Sequence, residues 1–273
     1  MSSGNTIAVE QEAPEIRWPC HHEIFGVQVS ETTYDQAQAV ILEAARRRVS
    51  AVVTHLPVHG VVTAVRDRKF REQVNTFDIV APDGQPVRWA LNRFRGTQLP
   101  DRVYGPKLML RLCQGAPAQG ISIYLYGSTP EVVERLRENL IAHFPQLKIA
   151  GCESPPFREL SAEEVDAVVD RFNESGAGLI FLGLGCPRQD MFAYALRGRV
   201  QGVLLCVGAA FDFIAGTKSM APRWMQNHGL EWLFRLAQEP RRLLRRYAVT
   251  NTIFIMLTAR EMLRFRPAEG MGK

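Results

Sequence analysis

The stretch Ile79-Val80-Ala81-Pro82-Asp83-Gly84 joins a short apolar run directly to an aspartate and a glycine. Such a run predicts a buried strand that ends in a tight turn. The turn leaves the Asp83 carboxylate at the carboxyl end of the strand, which is the edge where open α/β sheets bind their ligands. The alternative is a turn residue whose side chain bonds its own backbone. Taken alone, the stretch is compatible with both roles.

Strand-like and helix-like segments alternate along the chain on both sides of this stretch. Further apolar strands are predicted at residues 51–54, 121–126, 147–151, 179–184 and 202–207. Helices are predicted at residues 30–48, 58–74, 87–94, 108–112, 131–143, 163–173 and 189–196, the first with Ser30 as its N-cap. Nearly all-apolar strands that alternate with helices predict an α/β fold, a Rossmann-like and mostly parallel sheet with helices on both faces.

The patterning divides the chain into three parts. Residues 1–28 are mixed and predict a tail with one short strand, and residues 29–219 carry the α/β alternation. The strands stop after Gly216, and residues 220–273 predict a helical, basic C-terminal appendage. We therefore expect one Rossmann-like domain with a tail before it and a helical appendage after it.

Composition and charge narrow the class of protein. The chain has 273 residues, of which 46% are hydrophobic, so it can bury a substantial core. A net charge of +5 and a sequence pI near 9.1 favour anionic partners such as nucleotides, phosphates or an acidic membrane surface. The five cysteines form no C-x-x-C pair, which fits a reducing cytoplasm. No signal peptide and no window long enough to span a bilayer is apparent, so we expect a soluble or peripheral protein.

The appendage combines arginines with an apolar helical run. Residues 253–257 are apolar, and arginines flank them on both sides, at positions 241, 242, 245, 246, 260, 264 and 266. Such a helix suits the surface of an anionic bilayer. The alternative is a basic helix that simply docks on the domain. Trp224 and Trp232 are expected to pack against apolar neighbours, and with no nucleic-acid motif present we expect no nucleic-acid partner.

Several predicted strands end in polar or glycine-rich turns, as a ligand cleft at one sheet edge requires. These ends are Thr54, Asp83-Gly84, Gly127-Ser128, Gly183 to Gln189 and Gly208 to Asp212. Gly127-Ser128 also opens a helix, so free backbone N–H groups there could hold a phosphate. The alternative for Ser128 or Thr129 is a helix N-cap.

The common phosphate and metal motifs are absent. Neither G-x-G-x-x-G nor G-x-x-x-x-G-K-[ST] occurs, which disfavours a dinucleotide oxidoreductase and an NTPase. No two aspartates stand two residues apart, so the D-x-D pair that holds a divalent metal on a nucleotide sugar is missing. His55 and His59 have the spacing of metal ligands, but Pro57 lies between them and the H-E-x-x-H context is lacking. We expect no metal and no cofactor.

An ordered set of motifs resembles the WecG/TagA/CpsF glycosyltransferases over roughly residues 50–246. The set consists of Ala81-Pro82-Asp83-Gly84, Asp101-Arg102-Val103-Tyr104-Gly105, residues 183–190 (GLGCPRQD), residues 207–216 (VGAAFDFIAG), Ala221-Pro222, and residues 231–236 (EWLFRL) with Glu239-Pro240. Each motif is weak alone, but the order and spacing of the set are specific.

The resemblance implies a bacterial inverting transferase that moves a sugar from a UDP-sugar to a lipid-linked (polyprenyl diphosphate) saccharide, in exopolysaccharide or cell-wall polymer synthesis. It implies a metal-independent site and a peripheral location at the inner face of the plasma membrane. Asp83 is similar to the family's general base. The residues that the likeness and the strand ends assign to donor binding are Thr54, Arg102, Tyr104, Gly127, Ser128, Gly185, Gln189, Asp212, Arg235, Arg242 and Arg245. A homo-oligomer is compatible with the sequence.

Three positions depart from the family pattern. Leu56 stands where an asparagine is usual, Met220 where an arginine is usual, and Asp190 where a glutamate is usual. Leu56 removes a hydrogen-bonding group, which favours a donor other than the N-acetylmannosamine type, such as a glucose or uronic acid donor. Two other classes stay open: a non-catalytic nucleotide-binding α/β regulatory protein, which Leu56 and Met220 favour, and an NAD(P)-dependent oxidoreductase, which the broken glycine fingerprint disfavours.

Overall fold

The structure is a computed structural model that describes residues 15–264. Its strands are β1 His21–Ile24, β2 Val27–Ser30, β3 Ala51–Leu56, β4 Ile79–Pro82, β5 Ile123–Gly127, β6 Ile149–Glu153, β7 Leu179–Gly183 and β8 Val203–Cys206. Its α-helices are α1 Tyr34–Arg46, α2 Val58–Arg66, α3 Arg68–Val74, α4 Gln85–Arg95, α5 Gly105–Gly115, α6 Pro130–His143, α7 Ala162–Ser175, α8 Arg188–Leu196, α9 Ala210–Ile214, α10 Arg223–Asn227, α11 Glu231–Gln238 and α12 Pro240–Arg264. The predicted tail up to residue 14, and Arg266, lie outside the described residues.

Six strands form one parallel sheet in the order β4-β3-β8-β7-β5-β6. Every pair of neighbours in this sheet runs parallel, for example Thr54 opposite Val80 on one side and opposite Cys206 on the other. Helices cover both faces, so the predicted α/β fold with a mostly parallel sheet is confirmed. Strands β3, β4, β5, β7 and β8 are almost wholly buried because helices cover both faces of the sheet, whereas the edge strand β6 is partly exposed.

Two hydrophobic clusters fill the space on either face of the sheet. One packs α1, α5, α6 and α9 on the sheet, and the other packs α2, α3, α4, α7 and α8. The chain leaves β3 towards α2 on one face and leaves β8 towards α9 on the other. Because β3 and β8 are neighbours, a crevice opens at their carboxyl ends, the position at which parallel α/β sheets bind ligands.

Three local features differ from the sequence prediction. Residues 21–30 form the antiparallel hairpin β1-β2, where one short strand was expected. Ser30 lies in this hairpin, and its hydroxyl accepts a hydrogen bond from the Val80 amide (2.8 Å), so Thr33 caps α1 instead. The helix expected over residues 58–74 is two helices, because Asp67 adopts an extended conformation and caps α3 by accepting from the Phe70 amide (3.0 Å).

The appendage consists of α10, α11 and α12. Helix α12 lies against α2 and buries Leu243, Tyr247 and Phe254, with Phe254 joining the second hydrophobic cluster. Of the two tryptophans expected to pack against apolar neighbours, Trp232 is 38% exposed and meets the Tyr247 ring edge-on at 6.1 Å, whereas Trp224 is 59% exposed. Within residues 15–264 no helix is long and apolar enough to cross a membrane.

Gly127 is fixed by a close approach of two strands. It ends β5 with a φ of 141°, and a Cβ placed on it would lie 2.6 Å from the Gly183 backbone at the end of β7. Gly127→Ala should therefore lower the free energy of unfolding by about 2–3 kcal/mol, since neither backbone can give way. Urea denaturation measures this. The control is Gly120→Ala, also at positive φ but in open space, which should cost about 1 kcal/mol. Equal losses in the two variants would refute the steric explanation.

Candidate active site

Two cavities lie between the carboxyl edge of the sheet and the appendage. The larger has a volume of about 670 Å³ and the smaller about 280 Å³. Gln85, Arg102 and Tyr104 line both. The smaller cavity contains Asp83, and α11 and α12 of the appendage form its outer wall. Two adjoining volumes that share a wall beside one carboxylate give room for two substrates.

Asp83 follows β4 directly, as the sequence predicted, and Gly84 then starts α4. Its carboxylate is buried, and its Oδ1 has no hydrogen-bond partner among the described residues. Burial, helped by the charge of Glu231, raises the pKa of Asp83 to about 6 against the opposing effects of Arg102, Arg235 and a hydrogen bond from the Gly105 backbone. A carboxylate with an unoccupied oxygen and a pKa near neutrality is suited to accept a proton from a bound hydroxyl.

Arg102 connects Asp83 to the appendage. Its Nη1 donates to the main-chain oxygen of Asp83 (3.0 Å), and its Nη2 donates to Glu231 Oε2 (2.5 Å) at the start of α11. The guanidinium also lies over the Tyr104 ring, 4.4 Å from its centroid. Both charged side chains are almost fully buried, at 9% and 11% exposure. Arg102 is therefore a fixed cation beside the carboxylate and not a mobile surface charge.

Cationic side chains from the appendage surround His59 on α2. Burial, together with the charges of Arg246, Arg235 and Arg242, lowers the pKa of His59 to about 3, so the ring is neutral at physiological pH. Arg235 lines the smaller cavity and stacks over Phe213, 5.4 Å from its centroid. Of these three arginines, Arg235 is therefore the one placed to contact an anion in the cavity.

The other two appendage arginines predicted to bind the donor, Arg242 and Arg245, are both exposed to solvent. Arg242 is exposed and ion-paired with Glu239, although its charge still reaches His59. Arg245 is exposed and lines neither cavity. Arg246, which the sequence reasoning did not single out, is partly buried and faces His59 and Cys186, with its Nε lacking a partner in the described structure. The helical phase of α12 thus turns Arg246 rather than Arg245 towards His59, although Arg246 itself lines neither cavity.

Thr54, Gln189 and Gly185 form a second layer under the cavities. The Thr54 hydroxyl donates to Asp190, whose pKa burial raises to about 6. Gln189 Oε1 accepts from the Gly185 amide (3.0 Å), which fixes the turn after β7. Thr54 and Gln189 are buried, Gly185 is partly exposed, and none of the three lines either cavity, so their contacts hold the strand ends.

Three further predicted residues lie apart from Asp83. Asp212 in α9 is paired with Lys218 at 3.5 Å. Gly127 and Ser128 line neither cavity, and the Ser128 amide already donates to the Gly183 oxygen (3.1 Å). Thr129 is the N-cap of α6, accepting from the Val132 amide. Two of the backbone N–H groups expected to be free at this turn, those of Ser128 and Val132, therefore already donate hydrogen bonds within the protein.

The three departures from the family pattern have different surroundings. Leu56 is fully buried at the end of β3 and lines neither cavity. Asp190 is the buried acceptor for Thr54 described above. Met220 is exposed and lines the larger cavity, near Arg223. Of the three, Met220 is therefore the one placed to contact a ligand.

Histidines 55 and 59 do not converge on a common point for a metal. His55 is buried in β3, where its Nδ1 contacts the Cys206 carbonyl (3.1 Å), while His59 lies on α2. Over the described range 15–264 there is no group of three or more His, Cys, Asp or Glu side chains placed to hold a metal ion.

Comparison with known proteins places the chain among glycosyltransferases. The sequence profile of the Glycosyl transferase WecG/TagA/CpsF family matches residues 22–268, so the chain belongs to this family. The N-acetylglucosaminyldiphosphoundecaprenol N-acetyl-β-D-mannosaminyltransferase of Bacillus subtilis (strain 168) is 25% identical over 210 residues, 75% of this chain and 80% of the relative. The enzyme of the same name from Bacillus spizizenii is 26% identical over 207 residues, which cover 76% of this chain and 78% of the relative. The predicted family and enzyme class are confirmed.

Proposed function

We propose that the protein is an inverting glycosyltransferase that moves a sugar from a UDP-sugar to a polyprenyl-diphosphate-linked saccharide in the synthesis of a bacterial exopolysaccharide or cell-wall polymer. The observation that carries this proposal is the Asp83 carboxylate, whose Oδ1 is buried without a hydrogen-bond partner among the described residues, in the wall of a cavity that Arg102 and the appendage residue Arg235 also line. The names of the relatives support a lipid-linked diphosphate acceptor.

In the proposed reaction the acceptor hydroxyl oxygen attacks the anomeric carbon of the donor sugar from the face opposite the nucleotide. The new C–O bond forms as the bond from that carbon to the diphosphate oxygen breaks, and the bonding pair leaves with UDP. Asp83 takes the hydroxyl proton and becomes a neutral carboxylic acid. The attack from the opposite face inverts the anomeric configuration.

The departing diphosphate gains negative charge as the bond breaks, and fixed cations stabilise that charge best. Arg235 lines the cavity of Asp83, and Arg246, which lines neither cavity, acts by its charge on His59 in the wall of the same cavity. A guanidinium offers two parallel N–H groups to phosphate oxygens and stays charged at any working pH. We propose that these arginines take the place that a divalent metal holds in other transferases.

A lipid-linked acceptor requires the site to lie near a membrane surface. On the side of the appendage away from α2, α12 exposes Leu244, Ile255, Met256 and Leu263 among its arginines. An apolar stripe with flanking cations favours binding to an anionic bilayer surface. We propose that this face lies on the membrane, with the cavities open towards the lipid head groups.

The two other classes predict different ligands, which calorimetry can separate. We expect UDP to bind to the full-length protein and NAD to show no heat of binding. Binding of NAD but not UDP would point to the oxidoreductase. Binding of UDP without turnover of any of UDP-N-acetylmannosamine, UDP-glucose and UDP-glucuronic acid, offered with polyprenyl-diphosphate saccharides on anionic vesicles, would favour the regulatory protein.

A further inference from the structure

Arg102 forms its buried ion pair with Glu231 of the appendage and not with the adjacent Asp83 carboxylate. Arg102 lies next to Asp83, yet no ion pair within the described residues joins its guanidinium to the Asp83 carboxylate. One of its terminal nitrogens bonds the main-chain oxygen of Asp83, and the other bonds Glu231. Arg102 is therefore held beside the proposed base without an ion pair to its carboxylate.

We propose that Glu231 is a positioning residue for the transfer reaction: by binding Arg102 it keeps the guanidinium off the Asp83 carboxylate, which stays free to accept a proton. This inference rests on the proposed function of Asp83 as the base. It gives a chemical role to an acidic residue of the appendage, whereas the sequence assigned only arginines of the appendage to the site.

Geometry makes Glu231 suited to this role. It is the first residue of α11, after the turn at Gly229, whose φ is 70°, so its side chain projects from the end of the helix into the cavity. The pair with Arg102 is almost fully buried, so solvent screens the attraction between the two charges only weakly. Three contacts hold the guanidinium: the Asp83 main-chain oxygen, the Tyr104 ring and Glu231, and only Glu231 carries a charge.

The balance of charge around Asp83 leads to the same conclusion. The titratable and charged groups that face it from the surrounding elements are Arg102, Tyr104, Glu231, Arg235, His59 and Tyr34. The two arginines favour the ionised carboxylate, and Glu231 is the carboxylate that opposes them. Without Glu231 the arginines would hold Asp83 ionised to lower pH, and it would be a weaker base.

The test is a titration of Asp83 itself in the full-length protein. Asp83 is observed by NMR after labelling of aspartate carboxyl carbons with ¹³C, and its signal is assigned as the one missing from Asp83→Asn. We expect the midpoint in Glu231→Gln to fall by about one pH unit relative to the wild type, since a neutral amide leaves both arginines uncompensated. Glu231→Asp keeps the charge and should keep the midpoint near that of the wild type.

The matched control is Glu261→Gln. Glu261 also joins the appendage to the domain by an ion pair, with Arg95 at 3.5 Å, but it lines neither cavity. Its variant should leave the Asp83 midpoint unchanged. An unchanged midpoint in Glu231→Gln, or an equal fall in Glu261→Gln or Glu231→Asp, would overturn the inference. The titration needs no turnover and therefore tests the role of Glu231 alone. The proposed function is tested separately, by whether Asp83→Asn abolishes sugar transfer.

A kinetic readout separates positioning from mere structural support. If Asp83 must be ionised to act, the acid limb of the kcat/KM profile, which reports ionisation of the free enzyme, lies near the Asp83 pKa of about 6. In Glu231→Gln that limb should move to lower pH by the same shift as the NMR midpoint, while the plateau falls. A lower rate at every pH with the limb unmoved would show that Glu231 only supports the fold.

Discussion

Asp83→Asn is expected to lower kcat for sugar transfer by about 10²- to 10⁴-fold while UDP still binds. The amide has nearly the same shape as the carboxylate but cannot take the proton of the acceptor hydroxyl. Because Oδ1 of Asp83 has no partner in the described structure, no existing hydrogen bond of that oxygen is broken by the change. The measurements are steady-state turnover with a polyprenyl-diphosphate saccharide and calorimetry with UDP.

The control for this variant is Asp35→Asn, which removes a carboxylate from the exposed surface, where it pairs with Arg111. Its turnover should stay within about twofold of the wild type, as surface ion pairs contribute little. If Asp83→Asn kept its turnover, Asp83 would not be the base. If UDP binding were lost together with turnover, the carboxylate would be acting in donor binding instead.

Arg235→Gln is expected to reduce kcat/KM by about 10²- to 10³-fold, the usual cost of removing one fixed donor to developing charge. Arg235 lines the cavity of Asp83 and is held over Phe213, so its charge is directed at the site. The measurement is turnover with a short-chain lipid acceptor in detergent, which removes any contribution from vesicle binding.

Arg241→Gln is the matched control, since Arg241 is an exposed arginine of the same appendage that lines neither cavity. The two variants lose the same charge, so a general electrostatic effect on the anionic substrates would lower both alike. A large loss in Arg235→Gln with little change in Arg241→Gln is the expected result. Similar losses in the two would contradict a specific role for Arg235.

The sheet and the position of Asp83 follow from local sequence. Apolar runs of four to six residues that alternate with helical periodicity fix the strands of a parallel sheet, and a polar residue after such a run must lie at its carboxyl edge. For this reason Asp83 was placed correctly at the end of β4 from the stretch 79–84 alone. Its burial and its free oxygen depend on α11 and α12, which lie far along the chain.

The parts of the site that sequence did not predict depend on how the appendage docks. Glu231 meets Arg102 across 129 residues, and the family motif that contains it gives no charge partner. Arg246 was one of a run of arginines, and only the packing of α12 on α2 decides which of them faces His59. Gly127 was assigned to donor binding as a glycine of a strand end, whereas the structure explains it by the close approach of Gly183.

The measurement that tests the central claim most directly is the mass and anomeric configuration of the product. Full-length protein is incubated with α-linked UDP-sugars and a polyprenyl-diphosphate saccharide on anionic vesicles, and the product is analysed by mass spectrometry and NMR. An inverting transfer that uses Asp83 predicts an acceptor one sugar heavier, with a β linkage, in the wild type and hardly any such product in Asp83→Asn. An α linkage, or equal product from the two proteins, would contradict the account.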